Sequence, residues 1–263
     1  MFAIAYPAID PIAIEIGPIA IRWYALAYVV SILISWRYMI RIVRRSTEEI
    51  QSAHIDDLIV WATLGIILGG RIGYTMFYKP AYFLDNPLEA LAIWRGGMSF
   101  HGGLLGVLIA VYLYTIRRKI GFVSLGDIVV CAAPIGLFFG RIANFINGEL
   151  FGRASYAPWA MVFPHGGSEP RHPSQLYEAG LEGLVLFAVL AWFVYRTPAL
   201  ERPGLLSGVF FAGYGAARII AEMFREPDPH IGFLAAGTTM GQLLSLPLVI
   251  IGAWLVHRAL RMP

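Results

Sequence analysis

The chain has 263 residues, of which 58% are hydrophobic and 14% charged, with a formal net charge of +3 and a mean hydropathy of +0.66. A soluble domain carries about 25% charged residues, so the polar side chains are too few to cover a water-facing surface and lipid is the expected solvent. The single cysteine, Cys131, excludes an internal disulfide, and inside an apolar run it reads as a buried, inert thiol.

The amino-terminal stretch MFAIAYPAIDPIAIEIG has no basic leader region and carries Asp10 and Glu15. It does not read as a cleavable signal peptide, so the first membrane helix is expected to insert the chain. A spanning helix needs about 20 apolar residues. Seven stretches qualify, at roughly 20–42, 57–78, 98–116, 124–144, 174–195, 204–224 and 239–257. Pro134 interrupts the fourth, which membrane helices tolerate because neighbours satisfy the freed backbone.

The basic residues are unevenly shared between the two sides. The connections after the odd-numbered spans hold Arg41, Arg44, Arg45, Arg117, Arg118, Lys119, Arg196, Arg202, Arg258 and Arg261. The other side holds Arg22, Lys79, Arg95, Arg153, Arg171 and Arg225. The positive-inside bias places the N-terminus outside and the C-terminus in the cytoplasm, in agreement with seven spans. The expected fold is therefore an all-α integral membrane protein, one polytopic domain over residues 1–263. Its two long connections, 79–97 and 145–173, form an outer-facing head. Long ordered connections often carry function.

Four arginines lie within or at the ends of spans: Arg37, Arg71, Arg141 and Arg218. Arg37 is near an inner helix end and can snorkel. The others need a partner or a polar cavity, because an arginine at bilayer depth costs about 2.5–3.5 kcal/mol even on the lenient scale. Around Arg71, GGRIG lacks the strand–turn–helix context of a dinucleotide site and reads as helix packing. At 98–106, MSFHGGLLG sets His101 between glycines, either as a structural histidine or as a base able to take a proton from a thiol or hydroxyl.

Residues 140–153, GRIANFINGELFGR, gather two Arg, two Asn and one Glu in an oily chain. Arg141 and Asn144 share a helical side, and Asn147, Gly148, Glu149 and Gly152 follow as the chain leaves the helix. The arginine fork suits phosphate oxygens, and the whole set suits an anionic lipid headgroup. The Asn and Gly positions read equally as a capping loop. In the fifth span Glu178 sits near the outer end and can face water, whereas Glu182 is deeper. In the sixth, Tyr214, Arg218 and Glu222 recur every four residues on one helical face, as a self-neutralising ion pair or as a stripe lining a cavity. No metal spacing and no nucleic-acid motif is present.

GRIANFINGELFGR closely resembles the signature of bacterial prolipoprotein diacylglyceryl transferases. IRWYALAY, GGRIGYTMFY, WRGGMSFHGGLLG, RHPSQLYEA and GYGAARIIAEMFREPD also look like family segments, in family order. The resemblance implies a seven-span enzyme of the bacterial inner membrane with its active site on the periplasmic side. It would move the diacylglyceryl group of phosphatidylglycerol to the lipobox cysteine thiol of a preprolipoprotein signal peptide, releasing glycerol 1-phosphate without cofactor or metal. Matched position by position, the family's functional residues are Tyr24, His101, Arg141, Asn144, Glu149, Gly152, Tyr214, Arg218 and Glu222.

The expected chemistry is displacement at the glycerol carbon bearing phosphate. Arg141 and Arg218 would neutralise the phosphate, with Glu149 and Glu222 holding them, Asn144 and Tyr24 orienting the headgroup and His101 as candidate base. The acyl chains would stay among membrane lipids. An organic-anion transporter would also bury arginines, but should show repeats or paired broken helices, and none is visible. A different phospholipid-headgroup transferase would need a hydroxyl-acceptor pocket.

Overall fold

The computed structural model describes residues 4–7, 9–17, 19–45, 50–93, 96–227, 232–234 and 237–261. Arg95 and His230 lie outside them. In chain order the elements are strands β1 (Ile4–Ala5), β2 (Ile12–Ile16) and β3 (Ile19–Arg22), then helices α1 (Trp23–Val43), α2 (Ser52–Phe77), α3 (Pro80–Asp85), α4 (Phe100–Arg118) and α5 (Phe122–Ile146). Strand β4 (Met161–Val162) follows, then α6 (Ser174–Arg196), α7 (Leu205–Glu222) and α8 (Met240–Arg261).

Each of the seven apolar stretches is a helix. Six of them, α1, α2, α5, α6, α7 and α8, are long and apolar enough to cross a membrane, and the chain is a multi-pass membrane protein. Helix α4 has 19 residues and ends on Arg117 and Arg118. One of its faces leaves Leu104, Leu105, Leu108, Ile109 and Leu113 about half exposed, as a lipid-facing surface allows. The short strands are an addition to the expected all-helical architecture: β1 pairs in parallel with β4, and β2 and β3 form an antiparallel hairpin.

Contacts divide the chain into two units, Val43–Leu125 and Met1–Ile42 with Gly126–Pro263. In the smaller unit α2 and α4 pack through glycines, where backbones meet because no Cβ separates them. A Cβ on Gly106 would fall 2.0 Å from the Gly65 carbonyl oxygen, and one on Gly69 would fall 2.3 Å from that of Gly102. Arg71 ties down the following connection: its guanidinium donates to the carbonyls of Glu89, Ala90, Gly96 and Gly97 at 2.5–3.1 Å. Its burial is thus a structural matter, as the packing reading of GGRIG expects.

In the larger unit, Tyr6 from the strand region donates to the Phe145 and Ile146 carbonyls at 2.6 and 2.7 Å, capping the end of α5. Asp127 on α5 accepts from the Gly204 and Ser207 amides, both at 2.7 Å. It satisfies the free N–H groups that begin α7. Along α6 the residues Ala179–Val185 form a π-helical segment, a form that often marks functional positions.

The glycine seam gives a first test. Gly106→Leu forces α2 and α4 apart and should cost about 3 kcal/mol or more, read as a lower melting temperature in detergent. Leu108→Ala on the exposed side of α4 should leave it nearly unchanged. Equal stability for both variants would show that this seam does not hold the helices.

Candidate functional site

The site is built where α5, α6 and α7 meet inside the larger unit. A Cβ on Gly183 would come within 2.7 Å of the Phe138 Cβ, so only bare backbone lets the π segment of α6 close on α5. That approach carries Glu178 and Glu182 to Arg141. Glu178 Oε2 lies 2.7 Å from Arg141 Nε, and Glu182 Oε2 lies 3.4 Å from Arg141 Nη2. From α7, Arg218 Nη1 reaches the same two carboxylates at 3.3 and 3.6 Å.

Glu222, one turn beyond Arg218 on α7, accepts from its Nη2 at 2.5 Å. Arg225, just past the end of α7, stands 3.9 Å from both Glu178 and Glu222. Three arginines and three glutamates therefore share one cluster. Glu178 and Glu182 are 1% and 0% exposed, while Arg141 and Arg218 keep 17% and 13%. Charges this deep persist only when paired, and removing one member of such a pair costs about 3–5 kcal/mol.

The wall behind Glu222 is close-fitting. Thr239 donates its hydroxyl to Glu222 Oε2 at 2.7 Å. A Cβ on Gly241, at the start of α8, would fall 2.5 Å from the same carboxylate. Both fix the carboxylate against Arg218.

The residues after α5 make a second polar group beside the first. Asn144 donates to Glu149 Oε1 at 2.8 Å and Asn147 to the same oxygen at 3.3 Å. Gln175 and Ser174 of α6 donate to the backbone carbonyls of Glu149 and Leu150 at 2.6 and 3.0 Å. Gly152 lies where three backbone segments cross: a Cβ would meet the Phe224 carbonyl oxygen at 2.4 Å and the His172 carbonyl oxygen at 2.8 Å. Next to it Arg153 donates to the Glu222 and Arg225 carbonyls, so the connection after α5 grips the end of α7.

On the outside of α6, His172 Nδ1 and Trp159 Nε1 meet the Tyr177 hydroxyl at 3.0 and 2.7 Å. Burial lowers the pKa of His172 below that of a free imidazole. These residues rim an apolar hollow of about 550 Å³ with Leu181, Leu184, Val185 and Phe224.

Of the residues singled out in the sequence, Arg218 and Glu222 meet directly and Arg141 joins Arg218 through Glu178 and Glu182, while Asn144, one helical turn beyond Arg141, binds Glu149. Tyr214 stacks on Phe210 and lies within electrostatic reach of Arg141, Arg218, Glu178 and Glu182. Tyr24 packs on Tyr28 at the start of α1 and borders a small cavity of about 50 Å³ with Ser31, Gly136 and Gly140. His101 belongs to the smaller unit, exposed in the first turn of α4. Two expectations are corrected. Glu149 does not hold an arginine but accepts from two asparagines, and Glu178 is the most shared carboxylate of the cluster rather than a water-facing one. Arg225 was legible only as a loop charge.

The comparisons with known proteins agree with one another. The family model described as prolipoprotein diacylglyceryl transferase matches residues 11–258. A protein of Paramagnetospirillum magneticum is 59% identical over 99% of this chain and 97% of its own length. One of Rhodospirillum rubrum is 61% identical over 96% and 93%, and one of Azospirillum brasilense 57% identical over 100% and 99%. All three are named phosphatidylglycerol–prolipoprotein diacylglyceryl transferase.

The two glycines at the site should behave differently. Gly152→Ala sets a methyl against backbone that cannot yield and should cost about 3 kcal/mol, whereas Gly241→Ala has only a side-chain end to displace and should cost about 1 kcal/mol. Thermal denaturation in detergent separates them, and an equal loss would mean that Gly152 is not the crossing point described.

Proposed function

We propose that this chain, which belongs to the prolipoprotein diacylglyceryl transferase family, transfers the diacylglyceryl group of phosphatidylglycerol to the lipobox cysteine thiol of a preprolipoprotein, releasing glycerol 1-phosphate. One observation carries the reading at the site: Arg141 and Arg218, from different helices, converge on the same two buried carboxylates. Two guanidinium forks so placed suit a phosphodiester.

The reaction is a displacement at the glycerol carbon that bears the phosphate. The carbon–sulfur bond forms and the carbon–oxygen bond to phosphate breaks. Its electron pair leaves on the phosphate oxygen, and the thiol proton passes to a base. Arg141 and Arg218 bind the phosphate and stabilise the charge that grows on it as it departs. Glu222, pinned by Thr239, holds Arg218, while Glu178 and Glu182 hold Arg141. Asn144, Glu149, Tyr214 and Tyr24 orient the headgroup, and Gly152 keeps the connection after α5 close enough to do so. His101 is the candidate base. A free thiol is only a few per cent ionised at neutral pH, and the thiolate is the reactive form. The hollow beside α6 gives the acyl chains an apolar surface next to the cluster.

The chain crosses the bacterial inner membrane seven times as one membrane domain. Helix α4, about 28 Å long at 1.5 Å per residue, supplies the seventh span. The N-terminus is outside and the site faces the periplasm. The basic ends of α1, α4, α6 and α8 support that orientation.

Purified protein in detergent, given phosphatidylglycerol and a lipobox peptide, should add a diacylglyceryl mass to the cysteine and release glycerol phosphate. Arg141→Ala should lower turnover about 100-fold or more. Cys131→Ala should remain fully active, since Cys131 lies about 15 Å along α5 from Arg141. His101→Gln with near-normal turnover would remove His101 as the base. No mass gain from folded wild type, across several lipid conditions, would overturn the assignment.

A further inference from the structure

The cluster leaves a question of charge. Among the described residues it holds Arg141, Arg218 and Arg225 against Glu178, Glu182 and Glu222, which cancel. The phosphate of the lipid donor adds one negative charge. The arginine faces it would use are already turned to carboxylates, and these contacts are not saturated. Glu178 Oε1 and Oε2, Glu182 Oε1 and Arg218 Nη1 are buried and make no hydrogen bond of good geometry. The carboxylates stand where an anion would stand.

They are not equally supported once the arginines turn away. Glu178 also faces Arg225, and Glu222 has Arg225 and the Thr239 hydroxyl. Among the described residues the cationic partners of Glu182 are Arg141 and Arg218, and its side chain is 0% exposed. The groups that face it are Arg141 from α5, Arg218 and Tyr214 from α7, and Glu178 from its own helix. Helix α1 reaches α6 further along, where Tyr38 meets Phe187. A buried carboxylate stripped of both partners does not stay ionised; it takes a proton.

We propose that the donor's phosphate takes Arg141 and Arg218 away from Glu182, and that Glu182 takes up one proton from solvent as it does so. The proposal rests on the reading that these two arginines hold the phosphate. Donor binding is then proton-coupled, and Glu182 is a positioning residue that holds the empty arginines and releases them by neutralising itself. By linkage, the state that binds more protons is favoured at low pH. Affinity for the donor should therefore weaken as pH rises, by up to tenfold per pH unit.

Short-chain dihexanoylphosphatidylglycerol, titrated into the full chain in detergent over about pH 6 to 8, reads this directly. Dihexanoylphosphatidylcholine serves as the control for partition into micelles. For wild type, log Kd should rise with pH with a slope near one. Mixing in weak buffer with an indicator dye should consume about one proton per donor bound. Glu182→Gln should bind with a Kd that does not change with pH, while Glu201→Gln, exposed and outside the cluster, should keep the slope. If Glu182→Gln does not fold, the proton count on wild type decides. A flat wild-type profile with no proton consumed overturns the proposal, and so does a slope retained in Glu182→Gln. Failure of the underlying reading looks different: Arg141→Ala and Arg218→Ala would then bind the donor as well as wild type does.

Discussion

An arginine inside a membrane protein must be neutralised, and the larger unit is arranged around that requirement. Arg141 on α5 and Arg218 on α7 share their counter-charges, and the shared carboxylates come from α6. Helix α6 therefore has to lie against both neighbours. It does so with Gly183 against Phe138 on one side and with Leu186 against Gly213 of α7 on the other. The π segment holds the first contact and ends one residue before the second. Packing and electrostatics thus specify the same helix at the same turn, and a change in either disturbs the other.

The buried arginines show two ways of meeting the cost of burial, and the difference decides which of them can act. Arg71 spends its donors on four backbone carbonyls. Those acceptors are fixed by the chain and take four of its five N–H groups, so Arg71 has little to give a ligand. Arg141 and Arg218 are paired to side-chain carboxylates, at distances from 2.5 to 3.6 Å. A carboxylate can be exchanged for a phosphate of like shape and charge. Binding at such a site is a substitution of one anion for another, and the anion displaced must be accounted for as carefully as the one that arrives.

The helices were legible because a bilayer demands length and apolarity, and both can be counted along a chain. The stripe Tyr214–Arg218–Glu222 was legible because its spacing is that of one helix. Glu178 was not. Its position near a span end suggested water, whereas what buries it is the approach of α5 and α7, which no local pattern records. Arg225 fails for the same reason, since it follows the end of α7 and enters the cluster only through the fold. The family resemblance supplied Tyr24, which the polar pattern alone did not single out as a working part. Strand β1 was missed because it finds its partner at Met161–Val162, far along the chain.

Gly152 and Arg153 also explain why the stretch after α5 needs more than phosphate-binding groups. Arg153 donates to the carbonyls of Glu222 and Arg225, and Gly152 lets the His172 and Phe224 backbones pass within contact of its own. These contacts set the end of α7, and with it the places of Glu222 and Arg225. The segment beginning at Arg141 therefore acts at both ends of the cluster. Its first residues present the arginine and its last ones fix the carboxylate that holds the other arginine. A loop recognising a headgroup by itself would tolerate many lengths and compositions between the two. One that must present a ligand-binding side chain and also hold the opposite wall has little such freedom, and a concentrated run of Arg, Asn, Glu and Gly is what that double demand produces.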